Sequence, residues 1–250
     1  MPIGAERHLR LLRDPAGPAA WNMAVDEALL ELADAPTLRL YGWQPHAVSL
    51  GWFQRWADFA HLPPDTPVVR RATGGGAIHH GDELTFSLAV AAERLPGDVA
   101  ASYARLHDAV RQALADCSVP CERLAAGHAQ RPRPDSPWCF ADPGRDDLVT
   151  ERGKLLGSAQ RRVQTDRARV LHHGSLVLHA PALTPFVAAV ADVRPVDATL
   201  RHELAERLVL RIAEVLDLEP SLGSLTPAEH ALATQLRHER HEDPQRLQRR

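Results

Sequence analysis

The hydrophobic positions change their period several times along the chain, and each change marks an element. Over residues 19–34, Trp21, Val25, Leu29 and Leu32 recur at three- and four-residue intervals, which places them on one stripe of an amphipathic helix. Short apolar runs at Thr37–Tyr41, 47–53 and 68–73 predict strands, the last leading into three consecutive glycines. Residues 77–90 hold enough apolar character for one or two more strands. Asp98 stands where it can cap a helix over 99–117, in which Tyr103, Leu106, Val110, Leu114 and Cys117 recur at helical spacing. The stretch 124–138, dense in proline and polar residues, reads as an exposed loop. Beyond it, 147–150, 154–163 and 168–179 read as strands joined by turns at 151–153 and 164–167. The final third is helical. Leu200, Leu204, Leu208, Ile212 and Leu216 form one stripe, and Thr226-Pro227-Ala228-Glu229 matches a capping box with proline at the first helical position. The polar run 237–250 reads as a frayed end.

Strands in the first two-thirds, with helices before, between and after them, predict a mixed α/β (α+β) fold. With no internal repeat and no linker, one domain over 1–250 is expected, its C-terminal part, 196–242, being helical. The apolar fraction of 44% supports a full core and excludes global disorder. A net charge of −3 supplies no basic face for nucleic acid. No apolar run approaches the ~18 residues of a membrane span, and the N-terminus has no apolar signal core, so a cytoplasmic protein is expected. Three cysteines, Cys117, Cys121 and Cys139, are an odd number that argues against a disulfide framework. Cys117 and Cys121 lack a second ligand pair at a matching interval, so no metal site is expected, and both read as packing residues. The basic residues number 29, and every one but Lys154 is arginine. Arginine's planar fork cannot replace a compact amine in a tight space, so the sole lysine is a candidate functional group.

Three segments can carry chemistry. In Val69-Arg70-Arg71-Ala72-Thr73-Gly74-Gly75-Gly76-Ala77-Ile78-His79-His80, a triple glycine between strands costs backbone entropy. It permits unusual φ and close approach of a ligand to main-chain N–H groups, and the two arginines upstream supply charge for a carboxylate or phosphate. Neither the P-loop nor the Rossmann spacing is present. In Gly153-Lys154-Leu155-Leu156-Gly157-Ser158-Ala159-Gln160, small residues leave space beside the backbone where the lysine enters. In Leu171-His172-His173-Gly174-Ser175, His172 reads as a satisfied strand residue, and His173, directly before a glycine, stays open between a structural and a functional role.

Taken together these segments resemble the lipoate-protein ligase and octanoyltransferase family. Arg70-Arg71 through His80 and Glu83-Leu84-Thr85-Phe86-Ser87 resemble its glycine-loop signature, Gly153-Lys154 with Gly157-Ser158-Ala159-Gln160 its lysine segment, and Leu171 to Leu178 its HGS strand. Asn22-Met23-Ala24-Val25-Asp26-Glu27 is similar to its early helix, so the likeness spans about 20–180. The resemblance implies a fold shared with biotin protein ligases, with a central mixed sheet flanked by helices and an apolar tunnel for an acyl tail. Carried over, Gly74, Gly75, Gly76 and Ala77 flank the ligand and Lys154 faces the reacting carbon. Arg70, Arg71, Thr73, His80, Gly157, Ser158, Ala159, His173 and Gly174 complete the implied binding site. Lys154 would then either stabilise the developing oxyanion, an effect typically of ~2.7–4 kcal/mol, or lose its proton through burial and act as a base.

Two reactions share this family. ATP-dependent ligases, using ATP and magnesium, activate free lipoate as an adenylate. Octanoyltransferases, needing no cofactor, take the chain from acyl carrier protein through a cysteine thioester. In either case the acceptor is a lysine on a lipoyl carrier domain, that of a dehydrogenase E2 or a glycine-cleavage carrier protein. Trp138-Cys139-Phe140 resembles the Cys-Phe segment of one octanoyltransferase branch, where the cysteine is the nucleophile, and a thiol suits thioester exchange. The other branch carries its cysteine next to the HGS strand, where this chain has Leu171-His172-His173. Gly74-Gly75-Gly76 departs toward the ligases, since the Cys-Phe branch often carries another residue at the third glycine. Many ligases also bear an extra C-terminal domain for which 250 residues leave no room. The transferase is the leading expectation, the ligase the alternative, and a non-catalytic binder of lipoate or acylated carriers a third. Biotin ligation fits less well, because that family's arginine-glycine pattern is missing.

Overall fold

A computed structural model describes residues 7–125, 136–164 and 167–248. In chain order its elements are β1 (His8–Arg13), α1 (Ala19–Leu32), β2 (Thr37–Tyr41), β3 (Ala47–Leu50), β4 (Val68–Arg70), β5 (Ile78–His80), β6 (Glu83–Ala91), α2 (Val99–Asp116), β7 (Glu122–Arg123), β8 (Leu148–Thr150), β9 (Gly153–Lys154), β10 (Leu156–Val163), β11 (Arg169–Val177), α3 (Ala198–Leu216), β12 (Glu219–Leu222), α4 (Pro227–Leu236) and α5 (Pro244–Leu247). Six strands form a mixed sheet in the order β10-β11-β6-β2-β1-β12, antiparallel from β10 to β2 and parallel from β2 to β12. Two small sheets, β4-β3-β5 and β7-β8-β9, flank it.

Side chains alternate across a strand, and here each face has its own cover. Leu38, Leu40, Phe86, Leu88 and Val90 pack with Leu106, Val110 and Leu114 of α2 and Leu204, Leu208 and Ile212 of α3. On the opposite face Leu12, Ala89 and Leu171 pack with Val25, Ala28 and Leu29 of α1 and Ala233 and Leu236 of α4. α1 covers only part of that second face, and the remainder, across β2, β6, β11 and β10, is where the candidate site lies. The expected mixed α/β class with helices on a central mixed sheet is what forms.

Several boundaries differ from expectation for local reasons. The run 47–53 leaves the sheet at Leu50, and Gly51 then passes so close to the glycine loop that a Cβ there would lie 1.9 Å from the Gly75 carbonyl oxygen. The run 154–163 is two strands: Lys154 pairs with Val149 in the small sheet, and after Leu155 the chain joins the main sheet. β1 and β12 lie outside the expected strands; β12 is a sheet-edge strand, the position where Pro220 can be tolerated. The polar run after Leu236 is not frayed over its described part. It forms a π-helical turn at Arg237–His241 and then α5, burying His241 and Arg246. Most of the loop expected at 124–138 and part of the turn at 164–167 lie outside the described residues.

Candidate active site

The glycine loop is held from below by Arg71. Its buried guanidinium donates to the Ser49 carbonyl (2.8 Å) and hydroxyl (2.9 Å) and to the carbonyls of Gly74 (2.8 Å) and Gly76 (2.9 Å). No carboxylate pairs with it among the described residues, so a full positive charge lies under the loop. Gly75 has φ +90°, a conformation that favours glycine. Gly76 is required by proximity: a Cβ there would sit 2.7 Å from the Cys139 backbone nitrogen. The loop's end and the cysteine segment are stitched together by Ala77 N–H donating to Pro137 O (2.8 Å) and Cys139 N–H to Ala77 O (2.9 Å).

Cys139 begins a short 3-10 turn, with Phe140 buried against Ile78, Val177 and Val187. Lys154 Nζ lies 3.5 Å from Cys139 Sγ and 2.7 Å from Asp147 Oδ2, and the lysine is buried. Burial works against its charge, but the Cys139 sulfur and the Asp147 carboxylate overcome it and raise Lys154 above the ordinary lysine value. Lys154 is therefore an ammonium at neutral pH, and burial does not turn it into a base. Asp147 also accepts from Gly144 N–H at 2.7 Å, and it follows Asp146, which has φ 70° and is held by Arg123. Tyr103 of α2 faces the same cluster, its hydroxyl pushed up to about 12 by burial and by the Cys139 sulfur.

Behind these groups lies a narrow cavity on the open sheet face. Met23, Tyr41, Trp43, Arg71, Ile78, His80, Thr85, Gly157, Ala159, His173, Gly174 and Ser175 line it. Gly157 and Gly174 lack side chains because aromatic rings take the space: a Cβ would meet Phe140 at 2.8 Å and Phe86 at 2.5 Å, respectively. The cavity holds only ≈ 20 Å³, about the room of one water, so a chain entering it must part side chains such as the flexible Met23.

Two polar networks fix the walls. His80 stacks on Trp43 with ring centres 3.6 Å apart, and its nitrogens reach Ser49 Oγ (2.7 Å) and Glu83 Oε1 (2.9 Å). His173 Nε2 lies 2.8 Å from Thr73 Oγ1, while its Nδ1 faces Asp26 at 3.6 Å. Asp26 in turn accepts from Arg39 (2.9 Å), Tyr41 (2.8 Å) and Ser87 (2.7 Å). Burial opposes the Asp26 charge, but His173 and Arg39 beside it hold its pKa below the usual aspartate value; burial pushes His173 down toward the neutral ring. Thr73, at the start of the glycine loop, is thereby tied to α1.

Of the residues expected at the site, Lys154, Cys139, Gly76 and Ala77 meet at one point, with Arg71, His80, Gly157, Ala159, His173 and Gly174 around the cavity, Thr73 anchored to His173, and Gly74 and Gly75 in the loop beside them. Ser158 projects to the opposite sheet face, its hydroxyl 2.8 Å from His107 Nε2. Arg70 turns away to the carbonyls of Gly51 (3.0 Å), Gln54 (2.8 Å) and Leu247 (2.6 Å). Sequence reasoning missed Asp147, Asp26 and Glu83, which acquire meaning only through partners distant in sequence or, for Glu83, across a turn. His172 is not the satisfied strand residue expected. Its ring is buried among Phe86, Tyr103 and His107, and among the described residues neither ring nitrogen has a hydrogen-bond partner. Cys117 is packed in the core as expected, and no cluster of three or more His, Cys, Asp or Glu able to hold a metal occurs among the described residues.

A thiol beside a buried ammonium at a largely apolar cleft is suited to holding an acyl group as a thioester. The chain belongs to the lipoyl protein ligase A/B catalytic domain family, whose model matches residues 18–227. It is 34% identical to the octanoyltransferase LipM of Kyrpidia tusciae, over 91% of this chain and 94% of that protein. It is 38% identical to the octanoyltransferase LipM of Exiguobacterium sp., over 67% of this chain and 65% of that protein. In fold it is similar to a lipoate-protein ligase A bound with ATP (TM-score 0.76, 22% identity, 97% and 98% of the two chains). A bipartite lipoate protein ligase from Thermoplasma acidophilum is similar too (TM-score 0.74, 21% identity, 97% and 96%). No helix among the described residues is long and apolar enough to cross a membrane.

Proposed function

We propose that this chain is a cysteine-dependent octanoyltransferase that loads lipoyl carrier domains, acting as one catalytic domain over 1–250 in the cytoplasm. The observation that carries this reading is the 3.5 Å approach of Lys154 Nζ to Cys139 Sγ at the end of the glycine loop. The sulfur of Cys139 attacks the thioester carbonyl of octanoyl-acyl carrier protein, forming a new carbon–sulfur bond. As the tetrahedral centre collapses, the carrier sulfur leaves with the proton that Cys139 gave up. The acceptor lysine's amine then attacks the Cys139 thioester, an amide forms, and one amine proton returns to the sulfur. Lys154 remains an ammonium throughout and neutralises charge on oxygen and sulfur as it develops. Asp147 keeps it protonated and aimed. Arg71, Thr73 and His173 hold the glycine loop against the acyl chain, which extends between Met23, Ile78 and Trp43. The acceptor in this reading is the lipoyl domain of a dehydrogenase E2 or a glycine-cleavage carrier protein, and no cofactor is needed.

A second reading, an ATP-dependent lipoate ligase using magnesium, is favoured by the third glycine, Gly76. One experiment separates the two. Octanoyl-acyl carrier protein alone should modify the acceptor domain, whereas free octanoate or lipoate with ATP and magnesium should leave it unmodified. The reverse pattern assigns the ligase.

A further inference from the structure

Three of the described C-terminal residues meet at one buried carboxylate. Glu27, on α1 and buried, receives Arg240 at 2.6 Å, His241 at 3.0 Å and Arg246 at 3.6 Å. Burial works against its ionisation, yet the His241 hydrogen bond and the two arginines hold it down at about 2. Two arginines and a histidine of an otherwise polar tail thus meet one carboxylate more than 200 residues earlier, which fixes how the tail lies.

From that anchor the tail reaches the site. Arg246 lies over the Trp52 ring, 5.3 Å from its centre, and Leu247 packs against the cluster of Val48, Leu50 and Phe59. The carbonyls of Arg246 and Leu247 accept from Arg70 at 3.2 and 2.6 Å, and the same guanidinium holds the carbonyls of Gly51, Trp52 and Gln54. The 51–54 segment touches both halves of the site. Trp52 N–H donates to Thr73 O (2.8 Å), beside the triple glycine, and Gln54 Nε2 donates to Pro137 O (2.7 Å), two residues before Cys139. A continuous set of hydrogen bonds therefore runs from the tail through Arg70 to the glycine loop and to the cysteine segment.

We infer that residues 237–248 are a strap that, through Arg70 and the 51–54 segment, braces the directly joined glycine loop and cysteine segment, and that Glu27, Arg246 and Arg70 are positioning residues for acyl transfer although none lines the cavity. The inference rests on the proposed transferase reading only for its acyl readout. The two clusters that bury the main sheet contain no residue of 237–248, so loosening the strap should alter the site more than the core.

The test uses the full chain carrying Glu27→Gln, with Arg246→Ala as a milder variant should the first fail to fold. Three quantities are measured at a temperature where circular dichroism shows the domain folded: trypsin cleavage after Arg237 and Arg240, the kcat and KM of octanoyl transfer, and the rate at which iodoacetamide alkylates Cys139, followed by peptide mass. The strap predicts earlier cleavage of the tail, a changed alkylation rate and a kcat lower by roughly ten- to a hundredfold, the scale expected of a misplacement near 1 Å. Cleavage that speeds up while kcat and alkylation stay at wild-type values overturns it. If the wild type transfers no octanoyl group, the transferase reading falls, and the alkylation rate alone then decides whether the strap holds the cysteine segment.

Discussion

Lys154 and Asp147 form a buried pair at 2.7 Å, so removing one partner and removing both have different consequences that separate structure from catalysis. Lys154→Met keeps the length of the side chain and strips its charge. Asp147 is then left buried opposite a thioether, and breaking such a pair from one side typically costs ~3–5 kcal/mol. For a chain of this size that is a fall in Tm of roughly 6–20 °C. Adding Asp147→Leu removes the stranded carboxylate, and replacement of a buried pair by apolar groups is often neutral. The double variant should therefore recover the lost stability less the hydrogen bond that Asp147 accepts from Gly144 N–H. Catalysis behaves otherwise, because the ammonium that meets the developing charge is absent from both variants. Loss of one such donor typically lowers the rate by ~10²–10³. Urea melts supply the first quantity, and single-turnover acylation of Cys139 by octanoyl-acyl carrier protein supplies the second. If the double variant regains the acylation rate together with its stability, the lysine is only a structural partner of Asp147 and the reasoning fails.

Three further outcomes follow from named contacts. Gly157→Ala places a methyl 2.8 Å from the Phe140 ring, so it should displace the Cys139 segment and slow acylation by about tenfold or more; an unchanged single-turnover rate refutes this. Glu27 is depressed to about 2, so its contribution to stability is present above the unfolded glutamate pKa of ~4.3 and is lost as pH falls toward 2. Urea midpoints measured across that window should fall less steeply in Glu27→Gln than in wild type, and parallel slopes contradict the assignment. His172 lies buried with both ring nitrogens unpartnered among the described residues. His172→Phe should stabilise the fold by about 1–3 kcal/mol, the cost of an unsatisfied buried polar group, and a lower urea midpoint contradicts it.

The sequence was most legible where function and local pattern coincide. The triple glycine, the sole lysine and the Cys-Phe pair were all identifiable, and α1, α2 and α3 followed from their stripes. What stayed hidden depends on partners far along the chain. Asp147 stands at the start of an expected strand, and nothing beside it in sequence shows that Lys154 folds against it. Asp26 sits on an apolar helix with no local reason to be charged, and its reason is Arg39 on the neighbouring strand. The tail reads as solvated because a polar run usually is, and nothing near it in sequence announces Glu27. β12 carries a proline, which argues against a central strand and says nothing against an edge. Lys154's protonation was open for a similar reason: burial alone argues for a neutral amine, and only the placement of Asp147 and Cys139 reverses the sign.

The central claim is a covalent acyl group carried by Cys139, and intact-mass spectrometry tests it most directly. Mixing the protein with octanoyl-acyl carrier protein in the absence of ATP should add one octanoyl group that hydroxylamine removes, and Cys139→Ala should form neither the adduct nor the modified acceptor. Transfer at the wild-type rate by Cys139→Ala, or an adduct mapped to Cys117 or Cys121, contradicts it.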